Sequence, residues 1–507
     1  MKRSALLLLA ALAPAGFAAT CDSLNSLKIP HVTLKATQYA AGTYKPAPAP
    51  NAKGPAPDYS DVPAFCQVTA VSTPATGSTI NMEFWLPETT WNGSMIITGN
   101  GGLGGPIGIG GNGGGSTRGG SPFATNVKAG YAAAMSDTGH SAGNTFLMNA
   151  ESLIDFAYRA EHETADLAKK LIQARYETAV RKSYFDGCSG GGRQALKEVQ
   201  MYPGDFDGVI AGSPAIMSVG RASQAIWIAQ ATHKTPDSAI NTKFQVIKDA
   251  VMAACDALDG VKDGVLENPR KCNFDPKTIQ CPGADAATCL TAAQVETVRA
   301  IYSDVKNPRT GEVYFPGHEP GSEAGWGTMA GANPFGVGVD VFRYTTFGGD
   351  AAWDYKTMNF DTDMQKALKA AGAIDALDAN LKPYFDRGGK IIQFHGWNDP
   401  QISPRSSVTY YEAVAKANGG VAKVQQNHRL FMVPGMAHCG GGDGTSTFDA
   451  FSALTQWVEQ NKAPETLAGA KVANGQTVRT RPICSYPATA QYKGTGSTDD
   501  AANFSCK

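Results

Sequence analysis

The chain has 507 residues, 42% of them hydrophobic, with 18% charged and a formal net charge of -1. That is ample apolar material for a large core, and the length calls for more than one structural unit. The near-neutral charge and the lack of any basic tract exclude an electrostatic nucleic-acid binder. Lys2 and Arg3 precede an apolar run, residues 5–13, that is too short to span a bilayer, and Gly16 and Ala18 supply small residues for cleavage. Residues 1–18 therefore read as a signal peptide, with a secreted or periplasmic product and no membrane partner; a retained anchor is the alternative. The 10 cysteines, an even number in an exported chain, point to disulfides. Zinc is the rival, but no Cys-x-x-Cys pair exists.

In chain order, residues 20–61 are Pro- and Ala-rich and read as a surface wrap, extended over 44–50 and tied by Cys21 and Cys66. Residues 67–86 alternate well enough for one or two strands. A buried strand at 95–98 runs into Gly99-Asn100-Gly101-Gly102-Leu103-Gly104-Gly105. Its Gly-x-Gly-x-x-Gly spacing is formally a dinucleotide fingerprint, but Pro106 and Gly108 open no helix and no acid follows at about twenty positions. The better reading is an oxyanion loop, with Gly102 (or Gly101) offering a backbone N–H. Residues 108–120 read as a surface loop. A strand at 131–135 leads to Asp137-Thr138-Gly139-His140, and 156–176 is an amphipathic helix carrying His162.

The stretch 183–196 reads strand, tight turn, helix. Gly187-Cys188-Ser189-Gly190-Gly191 fits Gly-x-Ser-x-Gly, which holds a serine hydroxyl out on a strained elbow. A further strand at 206–214 follows. From 216 to 380 helical stretches, cysteine pairs and aromatic loops replace the alternation, which predicts an inserted lid domain. Its aromatic residues Trp227, Trp326, Phe342, Tyr344, Phe347 and Trp353 are candidates for a substrate pocket, with ordinary core packing as the alternative, and Arg343 for meeting a carboxylate or a surface acid. Asp256, Asp259 and Asp263, with the carbonyls of Val261 and Val265, could hold calcium, which prefers hard oxygen ligands; the rival is a pair of Asp-Gly turns. Strands return at 390–395 and 430–433, with helices at 406–417 and 448–460. Cys484 and Cys506 staple the tail. Residues 19–215 and 381–507 thus form one α/β unit.

A nucleophilic serine needs a base, and the base an orienting acid. Ser189, Asp399 and His438 follow the order Ser, Asp, His and each lies just past a predicted strand, which puts them at one sheet edge. His395 is the main rival base, His428 sits at the wrong edge, and Asp386 is the weaker acid. Gly190 and Gly102 would hold the oxyanion. Cys188 precedes the serine and Cys439 follows the histidine, so a serine–histidine contact would bring the two sulfurs within disulfide reach. Two buried thiols are the alternative.

These residues resemble the tannase and feruloyl esterase family of serine esterases. The resemblance is carried by Asp186-Gly187-Cys188-Ser189 with Gly191-Gly192-Arg193-Gln194-Ala195, by Tyr202-Pro203 with Asp205-Phe206-Asp207-Gly208 and Ala211-Gly212, by Asp137-Thr138-Gly139-His140, by His395-Gly396-Trp397 with Asp399-Pro400, and by Gly435-Met436 with His438-Cys439. It implies an α/β-hydrolase core with a lid, a Cys188–Cys439 disulfide, and a structural calcium ion (Ca2+) at Asp256, Asp259, Val261, Asp263 and Val265. It also implies the pairs Cys21–Cys66, Cys255–Cys272, Cys281–Cys289 and Cys484–Cys506. The implied activity is hydrolysis of small aromatic esters (feruloyl, galloyl or terephthaloyl); the chain is expected to act as a monomer. One departure is Gly190, where the family usually carries a side chain such as Thr. The rival class is a calcium-stabilised binding protein on a degenerate hydrolase fold.

Overall fold

A computed structural model describes residues 19–46, 58–108, 117, 118 and 120–507. The expected signal peptide, part of the extended 44–50 stretch and most of the 108–120 loop lie outside the described residues. The centre is a nine-stranded sheet in the order β1-β2-β3-β5-β4-β6-β7-β10-β11. Its strands are β1 (Val32–Tyr39), β2 (Phe65–Ser72), β3 (Ile80–Pro87), β4 (Ser94–Thr98), β5 (Ala132–Ser136), β6 (Lys182–Cys188) and β7 (Gly208–Gly212). After a small hairpin, β8 (Val305–Lys306) with β9 (Val313–Phe315), the sheet resumes with β10 (Lys390–Gly396) and β11 (His428–Val433). β1 to β3 and β5 pair antiparallel, and every pair from β5 to β11 is parallel.

Because side chains alternate across a strand, the parallel half buries both faces. Met95, Ile97, Phe185, Val209 and Ile391 pack with helices Ala160–Tyr176, Gly190–Met201 and Arg405–Ala417. Ile96, Tyr184, Ile210 and Ile392 pack on the other face with helix Ala450–Gln460. The strands are therefore runs of apolar residues, and their carboxyl ends open along one edge.

Two expectations need correction. Residues 32–39 are not part of a surface wrap but the edge strand of the main sheet, paired along its length with β2. The helix expected at 156–176 begins as an α-turn at Ala150–Ile154, passes through a π-turn at Asp155–Arg159, and continues as Ala160–Tyr176. A further hairpin, β12 (Thr466–Ala473) with β13 (Gln476–Cys484), turns at Asn474 and Gly475, both at positive φ.

Between β7 and β10 the chain adds helices Ser218–Thr232, Phe244–Cys255, Ala292–Tyr302, Gly336–Thr346 and Thr362–Ala371. These make two apolar clusters. One joins Val219, Ile226 and Phe342 to Phe146 and Phe156 of the core, and the other surrounds Trp326. All five disulfides have the pairing stated above, Cys188–Cys439 among them, and no free cysteine remains. No described helix is long and apolar enough to cross a membrane.

Candidate active site

β6 delivers the chain into a turn too tight for ordinary residues. A Cβ on Gly187 would meet the Gly191 carbonyl oxygen at 2.2 Å, and one on Gly99 of the neighbouring loop would meet Gly191 Cα at 2.6 Å. The intervening Ser189 takes φ 62° and ψ -119°, a region that a side-chain-bearing residue occupies only at a cost of about 1–3 kcal/mol. The turn is pinned by the Ser189 N–H donating to the Gly212 carbonyl of β7 at 2.9 Å. Helix Gly190–Met201 then starts at once. The strained conformation is what lifts the hydroxyl off the backbone.

That hydroxyl lies 2.9 Å from His438 Nε2, and His438 Nδ1 lies 2.7 Å from Asp399 Oδ2. His438 is 15% exposed and Asp399 is fully buried. The N–H groups of Gln401 and Ile402 donate to Asp399 Oδ1 at 2.8 and 3.0 Å. Burial alone would push the Asp399 carboxyl up. The imidazole of His438 and the hydrogen bonds from His395 and His438 outweigh it and hold the group far below the usual carboxylate range. The acid therefore stays ionised and fixes the proton on His438 Nδ1, leaving Nε2 free to accept from the serine.

The rival bases sit elsewhere. His395 is on the other side of the acid: its Nε2 is 3.1 Å from Asp399 Oδ2 and 3.1 Å from the Ile402 carbonyl, and its Nδ1 is 2.8 Å from Ser407 Oγ. It holds the acid and does not reach Ser189, a second-partner role that sequence order did not disclose. His428 is buried at the start of β11 against Gln393. His140 stacks on Phe146, His162 bonds Asp205, and Asp386 pairs with Lys382 on the surface.

The Gly99–Gly105 loop lies directly against this elbow. The N–H groups of Gly102 and Gly190 make no hydrogen bond among the described residues. A Cβ on Gly190 would meet the Gly102 carbonyl oxygen at 2.6 Å and the Asn100 oxygen at 2.9 Å. The space a side chain would fill at position 190 is thus occupied by the loop itself, so the missing side chain does not simply enlarge the pocket. The loop is anchored from behind. The Asn100 N–H donates to Gln194 Oε1 at 2.8 Å, and Gln194 Nε2 donates to Glu161 Oε1 at 3.0 Å. Glu161 also accepts from Ser136 Oγ, and burial pushes its carboxyl up to about 7. This chain from helix to loop was not visible in the sequence, where Glu161 and Gln194 are ordinary helical residues.

A narrow cleft of about 30 Å³ opens at Gly102 and Gly190, with Leu103, Ser218, Arg221 and Val337 among its walls. None of the six candidate aromatic residues is among its walls. Trp326 and Phe342 are fully buried, Phe347 stacks on Trp353 at 4.4 Å, and Trp227 donates to the Ala300 carbonyl. Their large apolar area is spent on the insertion's own packing. Arg343 meets Asp340 at 3.4 Å, the surface-acid alternative.

In the Asp256–Val265 loop, Gly260 and Gly264 take φ 90° and 80°. The three carboxylates accept from backbone N–H groups of the loop: Asp256 from Gly264, Asp259 from Val261 and Glu267, and Asp263 from Val265. Arg481 also pairs with Asp263 at 2.6 Å. Among the described residues no group of three or more His, Cys, Asp or Glu is gathered so as to hold a metal ion by itself. Carbonyl oxygens would have to complete any such site. The donor chemistry nevertheless fits a hard cation. Burial and the neighbouring Asp263 push the Asp256 and Asp259 carboxyls up. Glu267, absent from the sequence expectation, has a buried Oε2 without a partner and is pushed up to about 8, chiefly by burial.

The sheet order, the elbow and the constellation at the strand ends are those of an α/β hydrolase. Residues 66–507 match the tannase and feruloyl esterase family. An uncharacterized esterase of Xanthomonas campestris pv. campestris is 37% identical over 98% of this chain and 92% of its own length. A probable feruloyl esterase B-2 of Aspergillus terreus is 35% identical over 97% and 95%. The crystal structure of feruloyl esterase B from Aspergillus oryzae superposes with a TM-score of 0.87 at 31% identity, covering 96% of this chain and 99% of that one. The tannin acyl hydrolase from Aspergillus niger, at 22% identity and a TM-score of 0.75 over 95% and 92%, shares the fold. The chain belongs to the tannase and feruloyl esterase family and is a carboxylic ester hydrolase.

Proposed function

We propose that the chain is an exported serine esterase that hydrolyses carboxylic esters of aromatic acids, of feruloyl, galloyl or terephthaloyl type, through an acyl-enzyme on Ser189. The observation that carries this reading is the Ser189 Oγ to His438 Nε2 distance of 2.9 Å with Asp399 behind the imidazole. His438 takes the serine proton as Oγ bonds the ester carbonyl carbon. The oxyanion so formed accepts from the N–H groups of Gly190 and Gly102. His438 then gives its proton to the alcohol oxygen as the carbon–oxygen bond breaks. Water repeats the sequence on the acyl-enzyme and frees the acid. Asp399 holds the imidazole throughout. The triad, both N–H donors and the cleft come from one chain, which supports action as a monomer with residues 216–380 as a lid. The five disulfides support export to an oxidising compartment. A fluorophosphonate probe is expected to label Ser189, and at least one of methyl ferulate, methyl gallate and mono(hydroxyethyl) terephthalate to be turned over. Neither labelling nor hydrolysis would favour the binding-protein alternative.

The same reading includes a structural calcium ion held by Asp256, Asp259 and Asp263 with the carbonyls of Val261 and Val265. When bound, the ion neutralises carboxylates that otherwise raise one another, and ties the loop together. Exhaustive chelation should lower the thermal inactivation midpoint by on the order of 5 °C, recovered with calcium and not with magnesium. An unchanged midpoint, with no calcium found by elemental analysis before chelation, would remove the ion from the account.

A further inference from the structure

Arg221 stands in the first turns of helix Ser218–Thr232, which follows β7, and lines the same cleft as Gly102 and Gly190. Its Nε donates to the Gln401 carbonyl at 3.2 Å, and its guanidinium carbon lies 4.7 Å from the centre of the Phe335 ring. These contacts fix the plane of the group but use one of its five N–H donors. Among the described residues no carboxylate pairs with it. The acid that acts on it electrostatically is Asp399, whose oxygens already serve His438, His395, Gln401 and Ile402. Burial brings the guanidinium down to about 10, so it remains a cation at neutral pH.

Of the other arginines of this region, Arg193 and Arg405 are engaged by several acceptors, and Arg343, whose buried Nε has no partner, does not line this cleft. Arg193, on the same cleft, donates to the carbonyls of Phe156, Ala157 and Ile374. Arg343 has Asp340, and Arg405 has Asp304 and Glu319. A half-buried guanidinium with unused donors, held flat beside the Gly99–Gly105 loop, is complementary to a planar anion with two oxygens.

Resting on the esterase reading above, we infer that Arg221 is a specificity residue that receives a carboxylate carried by the substrate. The enzyme would therefore prefer anionic esters to neutral ones. The carboxylate can belong to the acyl part, as in a half-ester of an aromatic dicarboxylic acid, or to the alcohol part, as in an ester of a hydroxy acid.

Two matched pairs separate these sources: monomethyl against dimethyl terephthalate, and chlorogenate against methyl caffeate. In one of them the parent should show a higher kcat/KM for the anionic member. Arg221→Gln should lower that anionic-to-neutral ratio by roughly 10- to 100-fold. Arg221→Lys should keep part of it, and Arg343→Gln should leave the ratio where it was. A second measurement needs no variant: benzoate should inhibit the parent competitively at concentrations about 10-fold lower than benzamide. The inference is overturned if the parent prefers neutral esters in both pairs, if benzamide inhibits as well as benzoate, or if Arg221→Gln is still labelled by fluorophosphonate and keeps the ratio. Failure of the parent to be labelled would instead sink the esterase reading on which it rests.

Discussion

Ser189→Ala is expected to lower ester turnover by on the order of 10⁴-fold or more, with folding intact. The hydroxyl is the only nucleophilic atom that His438 Nε2 touches among the described residues, and removing it leaves the proposed oxyanion donors, Gly190 and Gly102, with nothing to assist. Alanine at a position with φ 62° keeps the strain of the elbow, so the backbone geometry is conserved while the chemistry is lost. Circular dichroism and the thermal midpoint of the variant should match the parent. Near-parental turnover of methyl ferulate by purified Ser189→Ala would show that another residue carries the acyl group.

The second large effect is expected from Cys188→Ala combined with Cys439→Ala. This bridge closes a loop with a sequence separation of 251. On the chain-entropy account such a loop is worth about 5 kcal/mol, less what the Cys255–Cys272 and Cys281–Cys289 bridges inside it already remove. It also joins the chain neighbours of Ser189 and His438. Cys439 itself has φ 60°, so both ends of the bridge are next to or within left-handed backbone that needs to be held. The double variant should lose at least about 10-fold in turnover, because a shift of the imidazole by about 1 Å is enough to do so. Its half-life at elevated temperature should shorten sharply. Cys281→Ala with Cys289→Ala, a separation of 8, serves as the contrast and should leave turnover near the parent's. Equal behaviour of the two double variants would mean that the long bridge does not position the base.

The elbow was legible because its glycines are required by contacts that any residue with a Cβ would violate, and such requirements are local. The order Ser, Asp, His was legible because strand ends in a parallel sheet share an edge. The second histidine on Asp399, the support of Asn100 by Gln194 and Glu161, and the placing of Arg221 against Gln401 and Phe335 without a carboxylate partner depend on residues brought together from distant elements, and no spacing in the chain encodes them. β1 was passed over because it is a half-buried edge strand within Pro- and Ala-rich text. The hairpin of β12 and β13 did carry a local signal, the Asn474-Gly475 pair suited to a tight turn. The aromatic residues of 216–380 could not be sorted between core and pocket, because the sequence marks a large apolar side chain equally for both.

The contact between Gly190 and the Gly102 carbonyl bears on attempts to redesign this enzyme. Placing a branched residue at position 190 would first displace the Gly99–Gly105 loop. The graft would have to bring its own version of residues 99–105, and of Gln194 beneath them, as one cassette.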